Sequence, residues 1–293
     1  MTSVNETHAE DQIRQLHEKA NRRKESMKKL NRWERQLEDY TSSLKEIAQK
    51  TKKGEGELRF NSSLIKASDV AGQYFCEKKV EMKYLHGEIE TERRILGTKA
   101  HEKLLEDTIK VKRRDLWKDI YGNKPVLAPE MLLLTAYKDV ILAGQPDSIL
   151  FMNGWPLIIF EYKFSKSQRP FRDHHVQVRV YGILLTNMGF DTSRMIYAIV
   201  MVDLAARVDE KLRKRVFNAV IRNRRKEAVL KIEGARIYVN KFNPEEAEQD
   251  LDWAIEFWKN NRGAIPTRNP NKCRSCEYNE KCDASLSVEG KGN

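Results

Sequence analysis

The chain has 293 residues, enough for one large domain or two ordinary ones, and its 54 lysines and arginines against 43 aspartates and glutamates give a formal net charge of +11. A basic balance of this size favours a polyanionic partner, most simply nucleic acid, although a generally lysine-rich surface would produce the same excess. No run of 18 apolar residues occurs, and no basic segment followed by an apolar one opens the sequence, so we expect a cytoplasmic protein with no membrane partner.

The first predicted element is a long charged helix over residues 9–50. Small or apolar residues recur in it at nearly heptad spacing, at Ile13, Leu16, Ala20, Met27, Leu30, Leu37, Leu44 and Ala48. This pattern favours a projecting arm, half of a helical hairpin or a coiled-coil contact in a homo-oligomer, and equally a helix lying on the protein's own body. Residues 51–63 are polar and contain glycine, which predicts a linker between an N-terminal extension, 1–60, and a core, 61–265.

Beyond the linker the sequence predicts both helices and strands. Ser68 is the expected N-cap of the first core helix, and a second helix is expected over 95–109. The remaining predicted elements are strands at 131–142, 147–152 and 157–163, a helix at 173–188, a strand at 195–202, a basic helix at 211–230, a strand at 236–239 and a helix at 244–260. This order predicts an α/β fold in which helices flank a central mixed sheet.

Two acids and a lysine accompany the most apolar strand. Asp147 precedes one strand, and the apolar run 157–160 ends in Glu161 and Lys163, with one residue between them. Residues i and i+2 of a strand share a face, so Glu161 and Lys163 project together. Charges at the end of a buried strand cost free energy unless they are paired or bind a metal. The two interpretations are therefore a metal-dependent catalytic site and a surface salt bridge.

Phosphodiester hydrolysis gives these residues a chemical role. Mg²⁺ or Mn²⁺ can neutralise charge at a phosphate and activate water, and oxygen ligands hold these ions. Asp147 and Glu161 would supply carboxylates, Tyr162 its backbone carbonyl, and Lys163 would orient water or stabilise negative charge. A lone helical histidine is usually a surface or core residue, but the imidazole of His101 could complete such a set.

Further residues would bind the substrate. Gln177 and Tyr181 lie one turn apart on a predicted helix and could contact the substrate backbone or support Lys163. Basic residues on the same helix and on the basic helix would contact phosphates. The candidates are Arg172, Arg179, Arg215 and Arg222.

The four cysteines form a separate pattern. Cys273, Cys276 and Cys282 have the spacing C-x2-C-x5-C, and Cys76 is the remaining cysteine. Cysteines of a cytosolic chain at this spacing indicate a zinc site or an iron–sulfur cluster, between which the spacing does not choose. With Cys76 as the fourth ligand, the site would attach the C-terminal segment, 266–293, to the first core helix.

Taken together, these motifs resemble the PD-(D/E)xK nuclease superfamily, and within it the RecB-like, four-cysteine branch that includes CRISPR-associated exonucleases of spacer acquisition. The matching residues are Cys76, His101, the sequence from Gly144 to Asp147, Glu161 to Lys163, Gln177 with Tyr181, and the C-terminal cysteines. The resemblance covers about 65–285 and implies a restriction-endonuclease-like core. It also implies a 4Fe-4S cluster on the four cysteines. Its nuclease site would bind Mn²⁺ or Mg²⁺ through His101, Asp147 and Glu161, with Lys163 as the catalytic lysine.

The resulting prediction is a metal-dependent nuclease that degrades single-stranded DNA from an end, in the manner of CRISPR spacer acquisition, with a structural 4Fe-4S cluster. Its partners would be DNA with single-stranded ends and CRISPR integrase proteins or a helicase. One alternative is a repair or recombination nuclease that acts with a helicase. The other is a catalytically weak, DNA-binding assembly subunit. The N-terminal extension is not part of the minimal family core, and the basic helix is unusually dense in lysine and arginine. These two departures also leave a viral or mobile-element nuclease open.

Overall fold

The computed structural model describes residues 32–51, 57–89, 113–206, 209–224 and 226–287. The predicted helix at 95–109, including His101, and the part of the N-terminal helix before residue 32 lie outside the described residues. The helices are α1 (Arg32–Thr51), α2 (Ala67–His86), α3 (Arg113–Ile120), α4 (Arg172–Asn187), α5 (Glu210–Asn223), α6 (Pro244–Trp258) and the short α7 (Pro270–Arg274). The strands are β1 (Ile65–Lys66), β2 (Val126–Pro129), β3 (Leu133–Tyr137), β4 (Val140–Gly144), β5 (Ser148–Met152), β6 (Trp155–Phe164), β7 (Ile196–Val202), β8 (Ala228–Ile232) and β9 (Ala235–Lys241).

The predicted central mixed sheet is confirmed. Six strands form it in the order β2-β5-β6-β7-β9-β8. Only β6 and β7 run parallel, and the other neighbours are antiparallel. A smaller sheet, β1-β4-β3, lies apart from it. Helices flank the central sheet on both faces, as in restriction-endonuclease-like folds.

Each face of the central sheet has its own apolar core. Ile159 of β6 packs in one cluster with buried residues of α4 and α6, including Val180 and Leu251. Phe160, the next residue, packs in the other cluster with Leu212 and other buried residues of α5. This alternation is the ordinary two-residue period of a strand. Because Glu161 and Lys163 are two and four residues beyond Ile159, they lie on the α4 face.

Several predicted boundaries were wrong. The strand expected at 131–142 is the hairpin of β3 and β4, whose turn contains Lys138 at φ 52°. The basic helix expected to reach residue 230 ends at Asn223, because Ala228–Ile232 pairs with β9 as an edge strand. Ser68 is not an N-cap, because β1 leads directly into α2 and Lys66 occupies the cap position.

The predicted arm and linker pack on the body where they are described. Tyr40 of α1 is buried, its ring centroid lies 5.4 Å from that of Trp117, and its hydroxyl donates a hydrogen bond to the Leu132 carbonyl. Arg59, within the predicted linker, donates from Nε to the Phe257 carbonyl at 2.7 Å. These contacts favour a helix lying on the protein's own body over a projecting arm for residues 32–51. None of the helices in the described part of the chain has the length and apolar composition that a bilayer span requires.

Candidate active site

Antiparallel pairing places the two acids side by side. Ser148 of β5 is paired with Phe160 of β6. Because the strands are antiparallel, the next pair of facing positions is Asp147 and Glu161. The Tyr162 backbone N–H donates a hydrogen bond of 2.5 Å to Asp147 Oδ2 and fixes that carboxylate at the strand end. Glu161 is only 3% exposed. The two acids therefore lie beside each other where β5 begins and β6 approaches its end.

Lys163 joins this pair from the same face of β6. Its ammonium group donates hydrogen bonds to Glu161 Oε1 at 2.8 Å and to Gln177 Oε1 at 2.7 Å. An ionised carboxylate is tolerated at a buried position when a charge and hydrogen bonds compensate it. The ammonium group thus occupies a fixed position between the strand and α4.

A chain of hydrogen bonds continues from Lys163 back to the loop before Asp147. Gln177 Nε2 donates to the Tyr181 hydroxyl at 2.7 Å, and that hydroxyl donates to the Gln145 carbonyl at 3.3 Å. Of the two roles expected for Gln177 and Tyr181, support of Lys163 is therefore the one that the geometry favours. A chain of this kind restrains both strands that carry the charged groups.

Gly144 permits the close packing of Tyr181 against this loop. A Cβ atom at position 144 would lie 2.8 Å from two ring atoms of Tyr181 and from Leu184 Cδ1. Such contacts are too short for carbon atoms, so any other residue would displace the tyrosine ring. The glycine belongs to the site for a steric reason that its place in the sequence does not reveal.

The charges around Lys163 keep it protonated. Burial alone would lower the pKa of Lys163, but the negative charges of Glu161, Asp147 and Asp173 outweigh burial and raise it. Burial, with a contribution from Glu161, also raises the pKa of the Tyr181 phenol well above its usual value. At neutral pH the site therefore contains an ammonium group and a neutral phenol. Asp173, in the first turn of α4, is an electrostatic neighbour that the motif analysis missed.

The oxygen donors at this site suit a hard divalent cation. Asp147 and Glu161 offer carboxylates, and Tyr162 has a backbone carbonyl between Glu161 and Lys163. Among the described residues, no group of three or more His, Cys, Asp or Glu side chains is arranged to hold a metal ion. Mg²⁺ typically uses one or two protein carboxylates and completes its shell with water and substrate phosphate. Two carboxylates and a carbonyl fit that pattern without a third acidic side chain.

All four cysteines line one pocket between α2 and the C-terminal segment. The cavity has a volume of about 20 Å³, and its wall also contains Phe75, Met82, Pro266 and Tyr278. The cysteines are free thiols, and the Thr267 backbone N–H donates to Cys76 Sγ at 3.3 Å. Burial raises the pKa of the Cys276 and Cys282 thiols. The sulfur donors suit zinc or iron, although no three thiols are yet arranged around a common ion.

The pocket depends on a break in α2 at Cys76. Cys76 has an extended conformation, with φ −172° and ψ 120°, inside the helix. The break leaves carbonyl groups of the preceding turn without helical partners, and Lys272 Nζ donates to those of Tyr74 and Phe75 at 3.2 and 2.9 Å. The Glu77 backbone N–H donates instead to the Ile265 carbonyl at 3.2 Å. The break therefore attaches the C-terminal segment to α2.

A buried ion pair strengthens this attachment. Glu77 is fully buried, and its two carboxylate oxygens accept hydrogen bonds from both terminal nitrogens of Arg262, with Nη2 at 2.7 Å from Oε1. The Ile265 backbone N–H also donates to Glu77 at 2.9 Å. Neither residue was singled out from the sequence, since a lone Glu within a helix carries no visible signal of burial.

The predicted substrate-binding arginines have different surroundings. Arg172 and Arg179 of α4 both donate hydrogen bonds to Asp250 of α6, at 3.1 and 2.9 Å. Arg215 and Arg222 belong to α5, which packs on the opposite face of the central sheet from Lys163. Arg215 also forms an ion pair of 2.6 Å with Glu233. Only Gln177 and Tyr181 of this predicted set touch the site around Lys163.

Two acids and an ammonium group at adjoining ends of strands in a mixed sheet define a nuclease-type site. The model of the PD-(D/E)XK nuclease superfamily matches residues 5–283. The chain belongs to this superfamily, whose members generally use Mg²⁺ or Mn²⁺. No curated protein sequence matches the chain. Among solved structures, the crystal structure of SSO0001 aligns at 15% identity and a TM-score of 0.43, covering 77% of this chain and 88% of that one.

Proposed function

We propose that the protein is a divalent-cation-dependent DNA nuclease of the RecB-like, four-cysteine branch that degrades single-stranded DNA from an end. The observation that carries the proposal is the position of Lys163, which Glu161 and Gln177 hold beside Asp147. An ion pair that served only the stability of a strand end would not need an amide and a phenol behind it. The proposed cation ligands are Asp147, Glu161, the Tyr162 carbonyl and His101.

Hydrolysis of a phosphodiester assigns a task to each group. A water oxygen forms a bond to phosphorus, the bond to one sugar oxygen breaks, and that oxygen leaves with a proton. A bound cation supplies positive charge at the phosphate and favours the ionisation of water. Lys163 has three N–H donors, and Glu161 and Gln177 account for two of them among the described residues. We assign the third to the attacking water or to the negative charge that develops on the phosphate.

The cysteine pocket is proposed to hold a structural 4Fe-4S cluster on Cys76, Cys273, Cys276 and Cys282. Support comes from the shared pocket and from the N–H group that Thr267 directs at Cys76. In this role the cluster holds the C-terminal segment against the broken helix α2. Arg262, just before this segment, and Lys272 within it both contact α2, so the cluster would reinforce contacts already made by charged side chains.

Further proposals concern DNA and protein partners. Arg172 and Arg179 extend from the active-site helix, and Arg215 and Arg222 would contact DNA on the far face of the sheet. A CRISPR integrase or a helicase would supply the single-stranded end, and residues 9–50 would mediate any homo-oligomer. We propose three units with the boundaries 1–60, 61–265 and 266–293. Cys76 would supply the fourth cysteine ligand to the last of them.

Cleavage of matched linear and circular substrates tests the proposed exonuclease activity. With Mn²⁺, we expect progressive shortening of linear single-stranded DNA, at least about tenfold slower loss of the matching duplex, and an intact single-stranded circle. Comparison of 5′- and 3′-labelled strands gives the polarity. Nicking of the circle at the rate of linear cleavage would contradict an exonuclease, and the absence of product from every substrate would contradict a nuclease.

A further inference from the structure

An open groove lies beside Arg172, the first residue of α4. It runs between α2, α6 and the C-terminal segment and encloses about 510 Å³. Its main side chains are Tyr74, Phe75, Arg172, Trp253 and Lys272. We call it the aromatic groove. Cys76 lines both the groove and the cysteine pocket. Neither Asp147 nor Glu161 of the candidate active site lines the groove.

Two rings, Tyr74 and Trp253, lie in the aromatic groove between the guanidinium groups of Arg172 and Arg262. The Arg172 guanidinium lies 4.6 Å from the centroid of the Tyr74 ring, and the Tyr74 and Trp253 ring centroids are 4.9 Å apart. The Arg262 guanidinium lies 4.3 Å from the Trp253 ring. Asp250 accepts a hydrogen bond from Arg172 and so orients the guanidinium over the tyrosine. The stack is therefore arranged before any ligand binds.

Parts of this stack face solvent. The Arg172 side chain is 70% exposed, although one of its faces covers Tyr74, and Trp253 is 37% exposed. Phe171, the residue before Arg172, is 52% exposed. A guanidinium plane and an indole ring are surfaces on which unpaired bases stack. Paired bases in a duplex already stack on their neighbours and do not present these faces.

Charge and distance connect the groove with the catalytic residues. Asp250 is shared by Arg172 and Arg179, Arg179 also pairs with Glu246, and Lys272 adds a further cation. Three cations therefore accompany two acids around the groove. Arg172 and Gln177 are five residues apart on α4, about 7.5 Å along the helix axis. Gln177 holds Lys163 at 2.7 Å. The groove and the active site are therefore connected through one helix, α4.

We propose that the aromatic groove is a subsite for unpaired DNA nucleotides, whose bases stack on the Arg172 guanidinium and on Trp253. The inference rests on the proposed nuclease function for the identity of the polymer, and it adds the reason for a preference for single strands. Arg172 then acts through its planar face and not only through its charge. Lysine at this position would keep the charge and lose the plane.

Binding measured without divalent cations tests the groove separately from cleavage. The probes are fluorescein-labelled (dT)12 and a labelled 12-base-pair duplex, followed by fluorescence anisotropy in EDTA. We expect Arg172→Lys and Trp253→Ala each to weaken binding of (dT)12 by about 5- to 100-fold, the range for loss of one stacked base. Trp253→Phe should stay within about threefold of the wild type, because it keeps a ring. Binding of the duplex should stay within about threefold for all three variants.

A matched control is available at Trp155, the first residue of β6, which lies at the end of that strand away from Lys163. Arg194 lies 4.4 Å from the ring of Trp155, so Arg194→Lys makes the same exchange in a cation–ring pair outside the groove. It should not change binding of (dT)12. Thermal unfolding identifies any variant that fails to fold. If Trp253→Ala does not fold, Arg172→Lys still tests the proposal.

Wild-type affinity for (dT)12 in folded Arg172→Lys and in folded Trp253→Ala would overturn the proposal. Equal weakening of single strand and duplex would also overturn it, because charge loss and not stacking would then be the cause. Addition of Mn²⁺ to the wild-type complex tests the nuclease function independently. Groove-dependent binding without cleavage would refute the nuclease and keep the subsite, whereas cleavage with unaffected binding in the variants would refute the subsite alone.

Discussion

Replacement of Lys163 by alanine is expected to lower the rate of DNA cleavage by about 10²- to 10³-fold, the usual cost of removing one preorganised donor from a phosphate or oxyanion site. The ammonium group is fixed by Glu161 at 2.8 Å and by Gln177 at 2.7 Å, and alanine removes it from that position. Initial rates of single-stranded DNA cleavage at saturating Mn²⁺ provide the measurement.

The control for this experiment is Lys231→Ala. Lys231 is an exposed lysine on the edge strand β8, three strands away from β6 in the central sheet. The Lys231→Ala variant should cleave DNA at the wild-type rate. Thermal unfolding of both variants separates loss of chemistry from loss of fold. Wild-type rates in a folded Lys163→Ala protein would remove Lys163 from the mechanism.

The second large effect concerns the cysteine pocket. Protein purified without oxygen is expected to be brown, with broad visible absorbance and four iron atoms per chain, as a 4Fe-4S cluster requires. Cys276→Ser should lose that absorbance and most of the iron. Because metal binding contributes directly to folding, it should also unfold at a lower temperature. A loss of about 2 kcal/mol would lower Tm by roughly 4–8 °C in a chain of this size.

Ser275→Ala is the matched control. Ser275 precedes Cys276, and within the described part of the chain its hydroxyl donates only to the Lys272 carbonyl, at 3.1 Å. It should keep the colour and the iron. A colourless wild-type protein with one zinc per chain would refute the cluster and leave the other expectation from the cysteine spacing, a zinc site. A brown protein whose Cys276→Ser variant keeps its iron would place the cluster on other ligands.

The sequence was most informative where local periodicity and chemistry agreed. The apolar run before Glu161 and Lys163 predicted a buried strand, and the two-residue period placed both charges on one face, which the pairing of β6 confirms. The relation between Asp147 and Glu161 follows from the same pairing. These features depend on residues close in sequence or on one strand register.

Features that depend on tertiary contacts were not predictable in the same way. The break in α2 at Cys76 has no proline or glycine to announce it, and its carbonyl groups find their donor in Lys272, 196 residues after Cys76. The end of α5 was missed because basic residues continue past it, while pairing with β9 decides where the chain becomes extended. Tyr74 and Trp253 meet only because α2 and α6 pack together.

The central claim, that Asp147 and Glu161 hold a cation needed for cleavage, is tested most directly by titration of cation-depleted protein with Mn²⁺ on end-labelled single-stranded DNA. The wild type is predicted to be inactive in EDTA and to reach a saturating rate as Mn²⁺ is added. Asp147→Asn, which keeps the size of the side chain but not its charge, is predicted to remain at least about 100-fold slower at the same Mn²⁺ concentration. Cleavage in EDTA, or equal activation of wild type and Asp147→Asn, would contradict the account.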